Sequence, residues 1–436
     1  MARKYSKTGH LKISDIISAE NLLPAEGGFL LFLFSPCSPY SAGEDSCSAD
    51  KRRKIATLHK FASLCIRIRK IILERKGVIP ILVARTSNGQ LFTICNSMEP
   101  AHLRVLREKQ SFSCPQCFGQ LILKAGSVRT PHFAHRHFSS CSIYSEPESP
   151  RHLAGKSRLY GFFQERGIPV RLEVFIPSIA QRADIQVQDS DILEYQCSPI
   201  TKEEIARRTN QYEAAGFHPV WLFGTPAPQE EGIRLVRLKA FEQEAATRQG
   251  EILFFDPETA LFTYVSNLYR ISATQWAGKV KTLPLNDQVY PFARPKRLTK
   301  PEFTELFQLF EAERDKFFRS QSYKGKSISN PVWRTMYRLG YDPKNLPWSV
   351  GIPIEAGALF RCHLVEWQLL AQRAAFDPAR LPARVFDGGR TGAEALSGVM
   401  RRYKKLCRLA GHAPTREEAI SRLYAESCKT VGTLRK

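Results

Sequence analysis

The chain has 436 residues, 43% of them hydrophobic, and a net charge of +22, so it is long enough for two or three globular domains. No run of about 18 apolar residues occurs, which excludes a membrane-spanning helix, and eleven scattered cysteines favour a reducing, cytoplasmic compartment over a disulfide framework. The charge favours a polyanionic partner, either a nucleic acid or an anionic membrane surface; the alternative is a basic surface that serves only solubility.

Residues 1–77 differ in pattern from the rest of the chain. A loop-like stretch rich in Ser, Pro and Cys is followed by the basic run at 51–54. We expect this extension to be either poorly ordered or wrongly included through an early start codon. The mass of the natively expressed protein distinguishes the second possibility from the first.

Residues 78–146 predict a small β-rich domain. Two short β-patterned runs at 81–84 and 90–95 flank Asn88-Gly89, a strong hairpin turn signal. A short helix is expected over 99–107 and a strand over 120–124.

A cysteine and histidine pattern in this domain predicts a structural zinc site. Cys114 and Cys117 have the Cys-x2-Cys spacing that places two thiolates on one tetrahedral ion, and His135 and Cys141 complete the set. His132 is the alternative fourth ligand. A segment this small needs its metal to fold, unless these residues are merely reduced cysteines with histidines that pack or contact phosphate.

A helix is predicted from Pro150, with Ser149 as its N-cap. His152 and Lys156 are four residues apart and so lie on one helical face. Glu148 has the same spacing from His152 but falls just before the helix begins.

The next chemical feature is a predicted β-hairpin over 182–196. Asp184 lies on its first strand, and Glu194 and Gln196 share one face of its second. Two facing carboxylates repel each other unless a cation lies between them, and Mg²⁺ or Mn²⁺ takes such oxygen ligands. The hairpin therefore predicts a metal site at Asp184 and Glu194; the alternative is an ordinary hairpin with a polar, solvated face.

The elements around the hairpin follow a recognisable order. A strand at 169–176 precedes it, a helix at 201–215 begins with the capping box Thr201 and Glu204, and an apolar strand follows at 218–223. The order is helix, three strands, helix, strand. Strand and helix are expected over 233–262, beside this core.

The C-terminal region, 264–436, contains 30 Lys and Arg against 15 Asp and Glu. Helical patterns at 301–319, 364–376 and 393–409 predict a mostly helical domain with a basic face. Aromatic residues interleave with the charges and either form the core or stack on bases; they are Tyr323, Trp333, Tyr337, Tyr341 and Trp348.

Several short motifs in the central part resemble the bacterial competence protein CoiA family, over about residues 79–225. They are Glu148-Ser-Pro-Arg-His152-x3-Lys156, Gln181-Arg-Ala-Asp184-Ile, Glu194-Tyr-Gln-Cys-Ser198, Arg208-x3-Tyr212 and Trp221-Leu-Phe-Gly224. The resemblance implies an α/β fold with a restriction-endonuclease-like PD-(D/E)XK core at 147–263. Gln196 stands where that pattern usually has Lys, and Gln cannot act as a base, so Lys156 is the candidate for the missing positive charge.

Three functions are consistent with these features. The first is a Mg²⁺-dependent nuclease with Asp184, Glu194, Gln196, His152 and Lys156 in its active site. The second is a non-catalytic protein that binds single-stranded DNA, and the third is a zinc-dependent scaffold for recombination or DNA-uptake proteins. The resemblance implies a part in genetic transformation, acting on internalised DNA.

Overall fold

The computed structural model describes residues 80–95, 98–126, 130–136, 148–293, 295–323, 329–342, 344–355, 359–386 and 392–430. They all belong to one compact unit, Lys76–Lys436. The predicted extension 1–77 lies outside the described residues. Among the described helices, none has the length and apolar character needed to cross a bilayer.

The described elements form a mixed α/β structure with two sheets. The strands are β1 Val83–Thr86, β2 Leu91–Thr93, β3 Phe112–Ser113, β4 Gln120–Lys124, β5 His132–His135, β6 Val170–Ile176, β7 Gln181–Val187, β8 Asp191–Gln196, β9 His218–Phe223, β10 Gly232–Arg237, β11 Glu251–Asp256, β12 Leu261–Arg270 and β13 Gln275–Pro284. The helices are α1 Pro100–Lys109, α2 Pro150–Glu165, α3 Lys202–Ala214, α4 Ala240–Gln249, α5 Lys300–Tyr323, α6 Pro331–Leu339, α7 Leu364–Arg373, α8 Gly392–Gly411 and α9 Arg416–Thr430.

The smaller sheet has five strands in the order β2-β1-β3-β4-β5. Its first hairpin turns at Asn88-Gly89 as predicted, and Gly89 has φ +85°, which a residue with a Cβ adopts only under strain. The apolar face of this sheet does not form a separate core. Phe112 and Phe133 belong to the same buried cluster as Leu159 and Phe163 of α2, so the predicted domain 78–146 packs directly onto the central domain.

The larger sheet has eight strands in the order β10-β13-β12-β11-β9-β8-β7-β6. β9 pairs in parallel with β8 and with β11, and the other pairs are antiparallel. The run α2-β6-β7-β8-α3-β9 reproduces the predicted order of helix, three strands, helix and strand. Both predicted N-caps are present, since Ser149 accepts from His152 N at 3.2 Å and Thr201 accepts from Glu204 N at 3.1 Å.

Helices α2 and α3 cover opposite faces of this sheet. Leu222 of β9 packs in the cluster that contains α2, whereas Trp221 and Phe223 pack in the cluster that contains Ile205 of α3. Side chains that alternate along a strand point to opposite faces. Each helix therefore covers its own face of the sheet, and His152 of α2 and Arg208 of α3 both line one cleft beside the β7–β8 pair.

The predicted boundary between residues 263 and 264 falls inside β12. This strand pairs with β11 through Leu261–Ser266 and with β13 as far as Pro284, so the sheet continues about twenty residues beyond the expected border. The change in composition that suggested the boundary reflects surface charge and not a break in hydrogen bonding. The helical part begins at Lys300.

The predicted C-terminal helices are present, and the interleaved aromatic residues divide into two groups. Trp333 is buried in the core of α5–α9, and Tyr341 and Trp348 pack against it. Tyr323 and Tyr337 are exposed over 93% and 67% of their surface. Most of the predicted stacking set is therefore core.

Candidate active site and metal centre

Asp184 lies where β7 and β8 separate. The ladder between these strands extends from Val187 and Asp191 to Ile185 and Leu193. Beyond it, the Asp184 carboxylate accepts a hydrogen bond from Tyr195 N at 3.0 Å. The carboxylate thus replaces a backbone partner at the fork, which fixes its position.

Helix α2 brings an imidazole and an ammonium group to this carboxylate. His152 Nε2 lies 3.2 Å from Asp184 Oδ2, and Lys156 Nζ lies 3.9 Å from Asp184 Oδ1. Burial acts to raise the pKa of Asp184, but the charges of His152 and Lys156 hold it well below its usual range. Asp184 is therefore an anion, and the structure brings three of the predicted site residues together.

Lys156 is fully buried at the centre of a cluster of carboxylates. Its Nζ lies 2.7 Å from Glu148 Oε2 and 2.8 Å from Glu173 Oε1. Burial acts to lower the pKa of Lys156, but Glu148, Glu173 and Asp184 raise it above its usual value. The ammonium keeps its charge because three anions surround it.

Sequence reasoning missed Glu173 and Arg182 as members of this cluster. Arg182 Nη2 lies 3.0 Å from Glu148 Oε1, and Arg182 Nη1 lies 3.8 Å from Glu173 Oε2. Glu173 has φ +55° and accepts from Leu82 N at 3.1 Å, which ties the smaller sheet to the cluster. The available signal for Glu173 was a single acidic residue within the otherwise β-patterned run 170–176.

Glu194 makes its contacts with α3. It is 1% exposed, Arg208 Nη2 lies 2.6 Å from its Oε1, and Tyr212 donates its hydroxyl to the same oxygen at 2.5 Å. Burial raises the pKa of Glu194 to about 7 against the effect of Arg208, and the Asp184 charge acts in the same direction as burial. Asp184 and Glu194 thus influence each other electrostatically but have different hydrogen-bond partners.

An open cleft of about 230 Å³ lies beside the fork. Asp184, His152, Glu148 and Gln196 line it, whereas Glu194 does not. Gln196 donates from Nε2 to Ser198 O at 2.8 Å, so its amide is oriented at the rim. A ligand in this cleft would meet one fork carboxylate, an imidazole and an amide.

The smaller sheet holds the second predicted centre. The ligand atoms of Cys114, Cys117 and His135 all lie within 4.8 Å of one another, and Cys117 Sγ is 3.3 Å from His135 Nε2. Backbone N–H groups of Gln116 and Gly119 point at the two sulfurs at 3.4 Å each. Such bonds stabilise thiolates, and soft sulfur with imidazole nitrogen suits a zinc-like ion.

The structure favours His135 over His132 as the histidine ligand. His132 is hydrogen-bonded through Nδ1 to Thr130 O at 2.8 Å and does not join the group of three. Burial lowers the pKa of His135, which keeps its imidazole neutral, as a metal ligand must be. Cys141, the predicted fourth ligand, lies outside the described residues.

Two comparisons place these observations in a family. Residues 148–293 match the family described as "Competence protein CoiA, nuclease-like domain", and residues 95–144 match "Competence protein CoiA, N-terminal domain". The competence protein CoiA of Bacillus subtilis (strain 168) is 26% identical over 272 residues, which cover 60% of this chain and 71% of that protein. These matches support the CoiA family for residues 95–144 and 148–293. No solved structure matches it.

The match to the CoiA nuclease-like domain includes the whole larger sheet and extends past the predicted domain boundary at residue 263. The nuclease-like region extends to residue 293, past the end of β13, so all eight strands of the larger sheet fall within it. The CoiA N-terminal region contains Cys114, Cys117 and His135.

Replacing Cys117 by Ser should remove bound zinc, since two remaining ligands of the group cannot hold the ion tightly. Metal content measured by mass spectrometry should fall from a stoichiometric level to background, and hydrogen exchange should accelerate in β3–β5. Cys428→Ser, a cysteine far from this group in sequence, is the matched control and should retain its zinc. Equal zinc content in both variants would contradict a zinc site at Cys117.

Proposed function

We propose that the chain is a metal-dependent nuclease that acts on internalised DNA during competence and so promotes recombination. The observation that carries the proposal is Asp184, an anion at the fork of β7 and β8 that opens into a cleft with His152 and Gln196. The order α2-β6-β7-β8-α3-β9 supports the proposal, because it is the order expected for a PD-(D/E)XK core. Two names also support the proposal. The matching family is described as nuclease-like, and the Bacillus subtilis relative is named a competence protein.

Asp184 and Glu194 are the residues that would hold Mg²⁺ or Mn²⁺. The donor set is of hard carboxylate oxygens, which fits such an ion, although Glu194 must exchange the Arg208 and Tyr212 contacts for it. The bound ion would supply Lewis acidity and a nucleophilic water.

The chain's own residues supply charge and orientation. Lys156 lowers the pKa of Glu173 and Asp184 and holds Glu148 in place, which no apolar residue could do at a fully buried position. His152 contacts Asp184 Oδ2 from the cleft side and is within reach of a phosphate oxygen. Gln196 can only donate or accept hydrogen bonds, so its role is to orient a water or a phosphate.

Asp184→Asn tests this function directly. The amide is isosteric and can still accept from Tyr195 N, so we expect the fold and DNA binding to be retained while Mg²⁺-dependent cleavage of labelled DNA falls by about 100-fold or more. Asp189→Asn, in the exposed turn of the same hairpin, is the control and should cleave normally. Undiminished cleavage by the Asp184 variant would refute the nuclease assignment.

One observation favours a second function, a non-catalytic protein that binds single-stranded DNA. Glu194 is engaged by Arg208 and Tyr212 and does not line the cleft, as expected if the fold were kept without its metal. In that case no preparation should cleave DNA with Mg²⁺ or Mn²⁺. Affinity for single strands should still fall steeply with salt concentration, because phosphate contacts release counterions.

A further inference from the structure

Helix α2 has a second polar face, which lines a groove of about 670 Å³. Residues of α2 three and four positions apart, such as Ala154, Ser157 and Gly161, form one wall of the groove. The loops after β11 and β13 contribute Pro257 and Asn286 to its lining. The volume lies within the range of ligand sites in proteins.

This groove is distinct from the cluster of Lys156. On a helix with 3.6 residues per turn, positions 154, 157, 158 and 161 share one side, whereas 152 and 156 lie on the other. His152 and Lys156 contact Asp184, and neither lines the groove. None of the roles given above to the acidic cluster explains the composition of the groove.

Ser157 provides the strongest indication of a ligand. Its side chain is 1% exposed, and its hydroxyl makes no hydrogen bond within the described part of the chain. A buried polar group without a partner costs about 1–3 kcal/mol, so native structures rarely retain one without a reason. Ser157 is one of the residues that line the groove, where a bound acceptor would satisfy its hydroxyl.

Three arginines also line the groove, namely Arg151, Arg158 and Arg166. Arg158 makes no ion pair or hydrogen bond with the residues described here and is free to bind an anion. Arg166 Cζ lies 3.9 Å from the centroid of the Phe162 ring, and the guanidinium donates to Asn286 O at 2.8 Å, which fixes a cation over this ring. Arg151 is held by Asp256 at 2.8 Å.

Two acidic residues, Glu165 and Glu258, also line the groove, so its charge is only modestly positive. Both have a largely exposed position at its rim. Ligand recognition must therefore depend on the unpaired Arg158 and Ser157 at the wall and not on overall charge.

The groove and the Asp184 cleft meet at the start of α2. Pro150 and Arg151 line the groove, and Ser149 and His152 line the cleft. The first turn of α2 also brings the positive end of its dipole to this junction. A flexible chain of phosphates could follow this path from one site to the other.

We propose that the groove binds the backbone of a single-stranded nucleic acid on its way to the Asp184 cleft. Ser157 and Arg158 contact one phosphate, and Arg166 with Phe162 supports a base, since stacking on such planes is tolerant of sequence. The identity of the ligand rests on the proposed nuclease function.

Two variants with opposite designs test the groove. Ser157→Ala removes the unpartnered hydroxyl, so we expect unchanged or raised thermal stability together with about tenfold weaker binding of a fluorescein-labelled oligothymidine, measured by anisotropy without added Mg²⁺. Gly161→Phe fills the groove, and because an added Cβ there meets nothing within 4 Å, the variant should fold and bind at least tenfold more weakly. Binding by both variants within twofold of the unaltered chain would overturn the proposal.

Salt dependence gives a separate readout. Arg158→Ala should reduce the slope of log affinity against log salt by about 0.7, the value for one phosphate contact on a single strand. Arg171→Ala, an exposed arginine on β6 outside the groove, is the matched control and should leave the slope unchanged. An unchanged slope in the Arg158 variant would contradict the phosphate contact.

The same oligonucleotide separates this proposal from the nuclease assignment. If groove variants weaken binding but no preparation cleaves, the groove stands and the nuclease function fails. If cleavage depends on Asp184 but groove variants bind normally, the nuclease function stands and the groove fails.

Discussion

Lys156→Met should destabilise the folded chain by about 3–5 kcal/mol, because it leaves buried carboxylates without their counterion. Glu148 and Glu173 both lie within 2.8 Å of the Lys156 ammonium, and Arg182 alone cannot replace it for Asp184. Methionine fills the space of the lysine side chain as far as Cε and lacks the ammonium group, so the loss is chiefly of charge and not of volume. The measurement is the free energy of unfolding from urea titration, followed by near-ultraviolet circular dichroism.

Lys202→Met is the control for a lost lysine, since Lys202 is 51% exposed at the start of α3, and such a substitution changes stability by about 0.5 kcal/mol or less. Adding Glu173→Gln to Lys156→Met should recover part of the loss, because one of the uncompensated charges is removed.

The loss of stability caused by Lys156→Met should also shrink as the pH falls. In the variant, protonation neutralises the buried carboxylates. The folded state then binds more protons than the unfolded state, so the free energy of unfolding of the variant rises relative to that of the unaltered chain as the pH falls. A loss below 1 kcal/mol at neutral pH would show that the cluster does not depend on its lysine.

Local signals predicted most of the elements around this cluster. The caps at Ser149 and Thr201, the Asn88-Gly89 turn and the Cys-x2-Cys knuckle are each encoded within a few residues, and each is present. The order of elements followed from these signals. The end of the larger sheet was not predicted. β12 joins β11 and β13 through short hairpins, but β13 also pairs with β10, and that contact between distant parts of the chain is not visible in a local window.

The candidate site was predictable only in part, for a related reason. The spacing of His152 and Lys156 on one turn of α2 is a local fact, and it correctly placed both beside one carboxylate. Whether Glu194 has the same partners as Asp184 depends on which helix packs against the Glu194 side chain. That information resides in Arg208 and Tyr212 of α3, whose motif the sequence displayed without indicating its partner.

The approach of α2 to β8 depends on one glycine, and Gly155→Ala should disrupt it. An added Cβ would lie 2.0 Å from Cε1 of Tyr195, well inside van der Waals contact. Tyr195 cannot move easily, since it is 1% exposed and donates its hydroxyl to Phe255 O at 3.0 Å. We expect a loss of about 1–3 kcal/mol or more from overpacking, although alanine is the better helix former.

Gly161→Ala in the same helix should instead stabilise the chain. No atom lies within 4 Å of the added Cβ there, so the helix should gain about 0.5–1 kcal/mol from the lower entropy of its unfolded chain. Combining Gly155→Ala with Tyr195→Ala should cost less than the sum of the two changes, because the second removes the ring that the first strikes. If the two glycine variants instead had equal stability, the close packing of α2 on β8 would be wrong. That packing would then not explain why His152 and Lys156 lie beside Asp184.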